Sequence, residues 1–329
     1  MVPKQFIHAL AAGILISWAV LLIPQSGGTA DFPTKPIQLY IPYVPGGVTD
    51  ILGRVAVEKG NDFLGQPMVV LNKPGAGGAL GIDFVAKSKP DGYTLGVGSL
   101  ATLGLLKAIN PKLSYDPAKD ITPVCNLIVN FNVIEVRADS PLNTFEKLID
   151  YAKKNPGKLN YGTSGVGTTQ HFGAELFQRA AGIEMLHVPF KGGSASMASL
   201  LGGHIDLVFH NMTEGVEQIR AGKVIPLFIT HDSRYSEFPQ IPTIVEKGYP
   251  QAVMAPWLGI CGPAGLPDAV VDKLAKYFQR IMSIPDVQKR MKDLSLIQAY
   301  IPPAEYKKLV LSDLAKYVEI AKKANITAE

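Results

Sequence analysis

Between residues 37 and 97 the chain alternates short β-prone apolar runs with helical ones, and this limits the fold more than any other feature. Ile37 to Ile41 reads as a strand. A turn at Pro45-Gly46-Gly47 follows, and Thr49 or Asp50 stands where it can cap a helix running through Val57. Met68 to Leu71 is a second strand. Ile82, Val85 and Ala86 share one face of a second helix, and Thr94 to Val97 is a third strand. Parallel neighbours can be joined only by a crossover, so strand–helix–strand–helix–strand order implies a parallel sheet flanked by helices.

The rhythm breaks at Val124 to Val136, a long apolar run suited to strands that cross between lobes, and then starts again. The second series has helices at Thr144 to Lys154, Gln170 to Ala181 and Ser194 to Leu201. Its strands are at Leu159 to Tyr161, Met185 to Val188, Ile205 to Phe209 and Pro226 to Thr230. Met254 to Cys261 is again strand-like, and two helices close the chain, from Asp268 to Met282 and from about Pro303. Two α/β units joined by two crossings predict a discontinuous first domain, 31–131 plus 255–329, with 132–254 inserted as the second. An apolar content of 47% is enough for a sizeable core. A charged content of 18%, a net charge of +4 and no run of five basic residues argue against a nucleic-acid partner.

Lys4, the apolar stretch from Ala9 to Ile23, and Gly28-Thr29-Ala30 have the form of an export signal cut after Ala30. An uncleaved anchor is the competing reading, but the apolar run falls short of the roughly 20 residues a spanning helix needs. Cys125 and Cys261 both survive such a cut, and the sequence leaves open whether they pair or stay as buried thiols.

Three loops precede helices and offer backbone N–H groups to an anion. The first is Pro42 to Asp50, which also reads as an ordinary capped turn. The second is Tyr161 to His171, which adds the hydroxyls of Thr163, Ser164, Thr168 and Thr169. The third is Val188 to Ser194, where Lys191 either meets a carboxylate or lies on the surface. Gly75 to Gly81 fails the dinucleotide fingerprint because its third glycine falls one residue late. No P-loop or nucleophile elbow is present. His204, Asp206 and His210 fall at strand period, but a polar strand end explains them better than a metal site, and His187 reads as a packing residue. No cofactor and no metal are expected.

Taken together, Pro45-Gly46-Gly47-Val48-Thr49-Asp50, Asn72-Lys73-Pro74-Gly75-Ala76-Gly77-Gly78 and Pro90-Asp91-Gly92-Tyr93-Thr94-Leu95 form a specific set. Tyr161-Gly162-Thr163-Ser164-Gly165-Val166-Gly167-Thr168, His187-Val188-Pro189-Phe190-Lys191-Gly192-Gly193 and Pro263-Ala264-Gly265-Leu266-Pro267 extend it over nearly the whole chain after residue 31. The chain resembles the substrate-binding receptors of tripartite tricarboxylate transporters, the Bug receptors. That resemblance implies a monomeric periplasmic receptor rather than an enzyme. Its fold would be α/β, two-lobed and flytrap-like, each lobe a sheet flanked by helices. It would close on a small organic carboxylate and hand it to two integral membrane transporter subunits. It also assigns a ligand-facing role to Tyr43, Val44, Gly46, Gly47, Thr49 and Asp50 in the first lobe, with Gly78 and Ser99 as further wall residues. In the second lobe it assigns Ser164, Gly165, Thr168 and Thr169, with His171 shaping the helix start, and then Lys191, His210 and Asn211. His210 stands where the family often has Asp; if it reaches the cleft, it would favour a more anionic ligand. Two other readings stay open: a sensor presenting its ligand to a membrane kinase, and a periplasmic enzyme using Asp50 and His171 for acid–base work.

Overall fold

The computed structural model describes residues 32–324 and 327. The expected export segment, 1–30, lies outside the described residues. The first strand, β1 (Ile37–Ile41), alternates buried and exposed side chains and leads into α1 (Val48–Val57). A short helix, α2 (Gly60–Leu64), precedes β2 (Met68–Asn72); α3 (Ala79–Ala86) and β3 (Thr94–Ser99) follow. The apolar stretch after β3 forms a π-helical turn, Ala101–Leu105, running into α4 (Leu106–Ile109). The long apolar run divides at Asn130 and Phe131 into β4 (Ile121–Val129) and β5 (Asn132–Arg137).

The inserted series comprises α5 (Phe145–Lys154), β6 (Asn160–Thr163), α6 (Thr169–Ala181), β7 (Leu186–Pro189), α7 (Gly193–Leu201), β8 (Leu207–Asn211), α8 (Met212–Arg220) and β9 (Val224–Ile229). Thr144 caps α5 and Thr168 caps α6, each accepting from the backbone N–H three residues on, and this sets where those helices begin. The chain then returns through β10 (Trp257–Pro263), α9 (Asp268–Met282), α10 (Pro285–Asp293), β11 (Ile297–Ile301) and α11 (Pro303–Ala324).

Two sheets result. The first has the order β11-β4-β10-β3-β1-β2, with β1, β2 and β3 parallel and β10 antiparallel to both of its neighbours. The second has the order β7-β6-β8-β5-β9, with β6, β7 and β8 parallel and β5 antiparallel between β8 and β9. Where the chain crosses between the sheets, the two connections bond to each other. Asn130 N–H donates to Pro256 O at 2.7 Å and Met254 N–H to Thr230 O at 2.7 Å. One buried cluster reaches both sheets, from Leu103, Leu105 and Ile109 to Tyr161, Phe172 and Phe177. Phe177 meets Phe145, Phe209 and Phe228; each such ring contributes roughly 1.5–3 kcal/mol by leaving water.

Three sequence expectations need correction. The tail holds an extra helix, α10, and an extra strand, β11, which pairs with β4. Gly47, not Thr49 or Asp50, is the residue that caps α1. His204 and Asp206 precede β8 rather than sharing its face with His210, and Asp206 accepts the backbone N–H of Asn160 at 2.9 Å. Both cysteines are free and buried on adjacent strands. Among the described residues no helix is long and apolar enough to cross a membrane.

Candidate functional site

The turn between β1 and α1 is built around Asp50. Its carboxylate accepts Gly46 N–H at 3.0 Å, Arg54 Nε and Nη2 at 2.9 and 3.0 Å, and Asn72 Nδ2 at 2.9 Å. Burial alone would raise its pKa. The hydrogen bonds from Arg54, Asn72 and Gly46 outweigh that and hold the carboxyl below its ordinary value. Asn72 also donates to Tyr43 O at 3.0 Å. Asp50 therefore folds back to hold the turn, while Gly46 and Val44 stand exposed and Thr49 is buried in the first turn of α1. Gly47 presents the start of α1, where unpaired N–H groups give a partial positive charge.

Tyr43, Gly78 and Ser99 come together beneath this turn. Tyr43 donates its hydroxyl to Gly77 O at 3.1 Å. Burial pushes its phenol up to about 12, with a Ser99 hydrogen bond pulling the other way. Gly78 has φ 99°, and a Cβ there would lie 2.8 Å from Thr102 Cγ2 and 3.1 Å from the Tyr43 hydroxyl. Only glycine fits. Ser99 ends β3, its N–H donating to Thr102 Oγ1 at 3.0 Å.

In the second lobe the turn after β6 is tied by its own hydroxyls. Thr163 Oγ1 accepts Gly165 N–H at 3.1 Å and lies 2.7 Å from His187 Nε2; Thr168 Oγ1 donates to Gly165 O at 2.8 Å. His171 Nδ1 accepts Gly167 N–H at 3.3 Å, and its ring stacks on His187 at 4.1 Å. Burial first, and the neighbouring His171 second, lower His187 to about 3, so it stays neutral. Thr169 is buried at the start of α6. Ser164 Oγ is buried with no hydrogen-bond partner, a rare state for a native polar atom.

The two lobes meet at these turns. A Cβ on Gly77 would lie 3.1 Å from Val166 O, one on Gly192 3.8 Å from Val44, and one on Gly47 3.8 Å from Glu214 Oε1. Lys191 is exposed beside Gly192. Asn211 accepts Asn130 Nδ2 at 2.9 Å, which ties the end of β8 to the crossing between sheets.

The His210 side chain has no solvent exposure. It is fully buried between two acids, Nδ1 3.6 Å from Glu135 Oε2 and Nε2 3.4 Å from Glu214 Oε2. Burial, and then the neighbouring Glu214, push Glu135 up to about 8. The group that faces the first lobe is Glu214. Sequence reasoning missed both acids. The one signal available was the i,i+4 spacing of His210 and Glu214 across the strand–helix junction. Among the described residues no group of three or more His, Cys, Asp or Glu is arranged to hold a metal ion. Two open hollows, of about 450 and 440 Å³, lie away from these turns, beside Lys35 and Tyr93 and beside Thr122 and Val271.

Comparison with known proteins bears on what this arrangement does. A family model described as tripartite tricarboxylate transporter family receptor matches residues 52–326. The solved periplasmic binding protein BugD is 31% identical, covers 91% of this chain and 100% of its own, and superposes with a TM-score of 0.83. MatC from Rhodopseudomonas palustris with bound malate is 30% identical over 88% of this chain and 99% of its own, TM-score 0.81. An R. palustris protein with adipate is 29% identical over 90% and 99%, TM-score 0.84.

Proposed function

This chain belongs to the tripartite tricarboxylate transporter receptor family, a family of periplasmic solute-binding proteins, and on that premise we propose that it captures a small organic carboxylate between its lobes and delivers it to two membrane subunits of a transporter. The observation that carries the reading is that two helix-opening turns, one from each lobe, lie where the lobes meet. The Gly46-Gly47 turn opens α1 and approaches Glu214, and the Ser164 to Thr169 turn opens α6 and approaches Gly77 through Val166. Helix starts offer unpaired N–H groups and a positive dipole end, the chemistry that holds a carboxylate. Ser164 Oγ supplies a donor that no protein group uses. Relatives of about 30% identity were solved with malate and with adipate.

In this reading the start of α1 at Gly47 holds one end of the ligand, while Asp50 fixes the turn by accepting the Gly46 N–H. Tyr43, Val44, Gly78 and Ser99 form the first-lobe wall. Ser164, Gly165, Thr168 and Thr169 close from the second lobe, with Lys191 and Asn211 at its edge. The lobes correspond to 31–131 plus 255–329 and to 132–254, and residues 1–30 direct export. Ligand contacts from both lobes favour the closed form over an open one. The test is a thermal-shift screen against mono-, di- and tricarboxylates, amino acids and neutral sugars. A carboxylate present at about 100 times its Kd should add roughly 2.7 kcal/mol of stability, and it should be recovered unchanged. Shifts with sugars alone, or turnover of the bound acid, would contradict the reading.

A further inference from the structure

We propose that Glu214 sets which carboxylates the cleft accepts, by taking a hydrogen bond from a hydroxyl or ammonium group that the ligand carries close to its carboxylate. This rests on the reading of the cleft as a carboxylate site.

Glu214 lies in the first turn of α8, and its two oxygens have different surroundings. Oε2 is held inside the second lobe, 3.4 Å from His210 Nε2 and 3.4 Å from Asn211 Nδ2. The first turn of α7 packs against this pair so closely that a Cβ on Gly193 would collide with the Glu214 carboxylate and sit 2.7 Å from His210 Nε2. Oε1 faces the other way, across the cleft to Gly47. The side chain is 14% exposed, so it is fixed from behind and open in front.

A carboxylate seated on the Gly46-Gly47 turn therefore has Glu214 Oε1 as a neighbour. If the ligand offers nothing between them, two like charges face each other in a partly desolvated site, which disfavours binding. A hydroxyl or ammonium on the carbon beside the ligand carboxylate turns the same contact into a charge-assisted hydrogen bond. Among the described residues no Lys or Arg forms an ion pair with Glu214, and Lys191 stands exposed beside Gly192. Glu135 from β5 and Glu214 from α8 are the acids that face His210. Neither α7 nor β9 carries a charged residue. Arg137 pairs with Asp139, and Arg220 pairs with Glu217 and Glu237. Burial keeps Glu135 protonated at neutral pH, and Asn211 Nδ2 is the donor that holds Glu214 Oε2 in place.

The experiment uses matched sets of acids: succinate, malate and aspartate; glutarate, 2-hydroxyglutarate and glutamate; propionate, lactate and alanine. Binding to the purified protein is measured by calorimetry at neutral pH. The expected result is that a substituted acid binds at least tenfold more tightly than its unsubstituted parent. Glu214→Ala should reduce that preference below threefold by weakening the substituted acid, while the parent binds as well as before or better. Glu214→Gln keeps the shape and one acceptor, so it should lose the preference for the amino acid more than for the hydroxy acid. Folding of each variant is checked by its circular dichroism and melting profile. Parents that bind as tightly as substituted acids, or a preference that survives Glu214→Ala, would overturn the assignment and leave the carboxylate reading standing. No binding by any carboxylate would overturn both.

Discussion

Glu135 is a fully buried acid whose pKa lies at about 8 against an ordinary 4.5, and replacing it with glutamine should change how stability depends on pH. A carboxyl whose folded pKa is raised is most favourable to folding below its unfolded pKa. That contribution is lost as pH rises toward the folded value, because the unfolded chain releases a proton that the folded chain must keep. Glutamine keeps the shape and stays neutral, so Glu135→Gln removes this dependence. Each pH unit between the two pKa values costs the wild type about 1.4 kcal/mol relative to the variant. Moving from about pH 5.5 to about pH 7.5 should therefore shift the stability difference by roughly 2.5 kcal/mol in favour of the variant. The assay is urea unfolding of both proteins across pH 5 to 9, followed by tryptophan fluorescence. The gap should open through this window and level off above about pH 8. A constant gap would refute the argument, because it would mean that Glu135 ionises as readily in the folded chain as in the unfolded one.

Three further outcomes follow from the same geometry. Asp50→Asn should cost about 1.5–3 kcal/mol at neutral pH, since a charged acceptor of several hydrogen bonds is lost. Because the folded pKa of Asp50 is lowered, that difference should shrink as pH falls through the folded value, as checked by urea unfolding at acid pH. Gly78→Ala should cost about 1–3 kcal/mol, because the new methyl meets Thr102 and the Tyr43 hydroxyl at a positive φ; a melting curve reads it. Burial raises both thiols, Cys261 to about 12, so a thiol reagent at neutral pH should label neither cysteine in the folded protein and both in urea without reductant.

The βαβ order of the first lobe was legible because each strand is a short apolar run bounded by Gly or Pro and each helix has one apolar face. The helix Asp268–Met282 was legible for the same reason. The strand Ile297–Ile301 was not, because every one of its side chains is only half-buried, and it owes its existence to pairing with β4. The π-helical turn Ala101–Leu105 lies in a wholly buried, mostly apolar stretch, where periodicity carries little information. The candidate loops were legible from their glycines and hydroxyls, which have a local meaning. The direction of His210 was not, since the sheet is covered on both faces and Glu135 and Glu214 come from elsewhere in the fold. Asp50 shows the same limit. Its position in the turn was evident, but its bond to Asn72 depends on the neighbouring strand β2.

The most direct test of carboxylate capture is a crystal structure of the protein with the acid that gives the largest thermal shift. The expected result places one ligand carboxylate within hydrogen-bond distance of the Gly47 N–H at the start of α1 and a ligand oxygen on Ser164 Oγ. A ligand seated in either surface hollow, or within one lobe with both turns empty, would contradict the account.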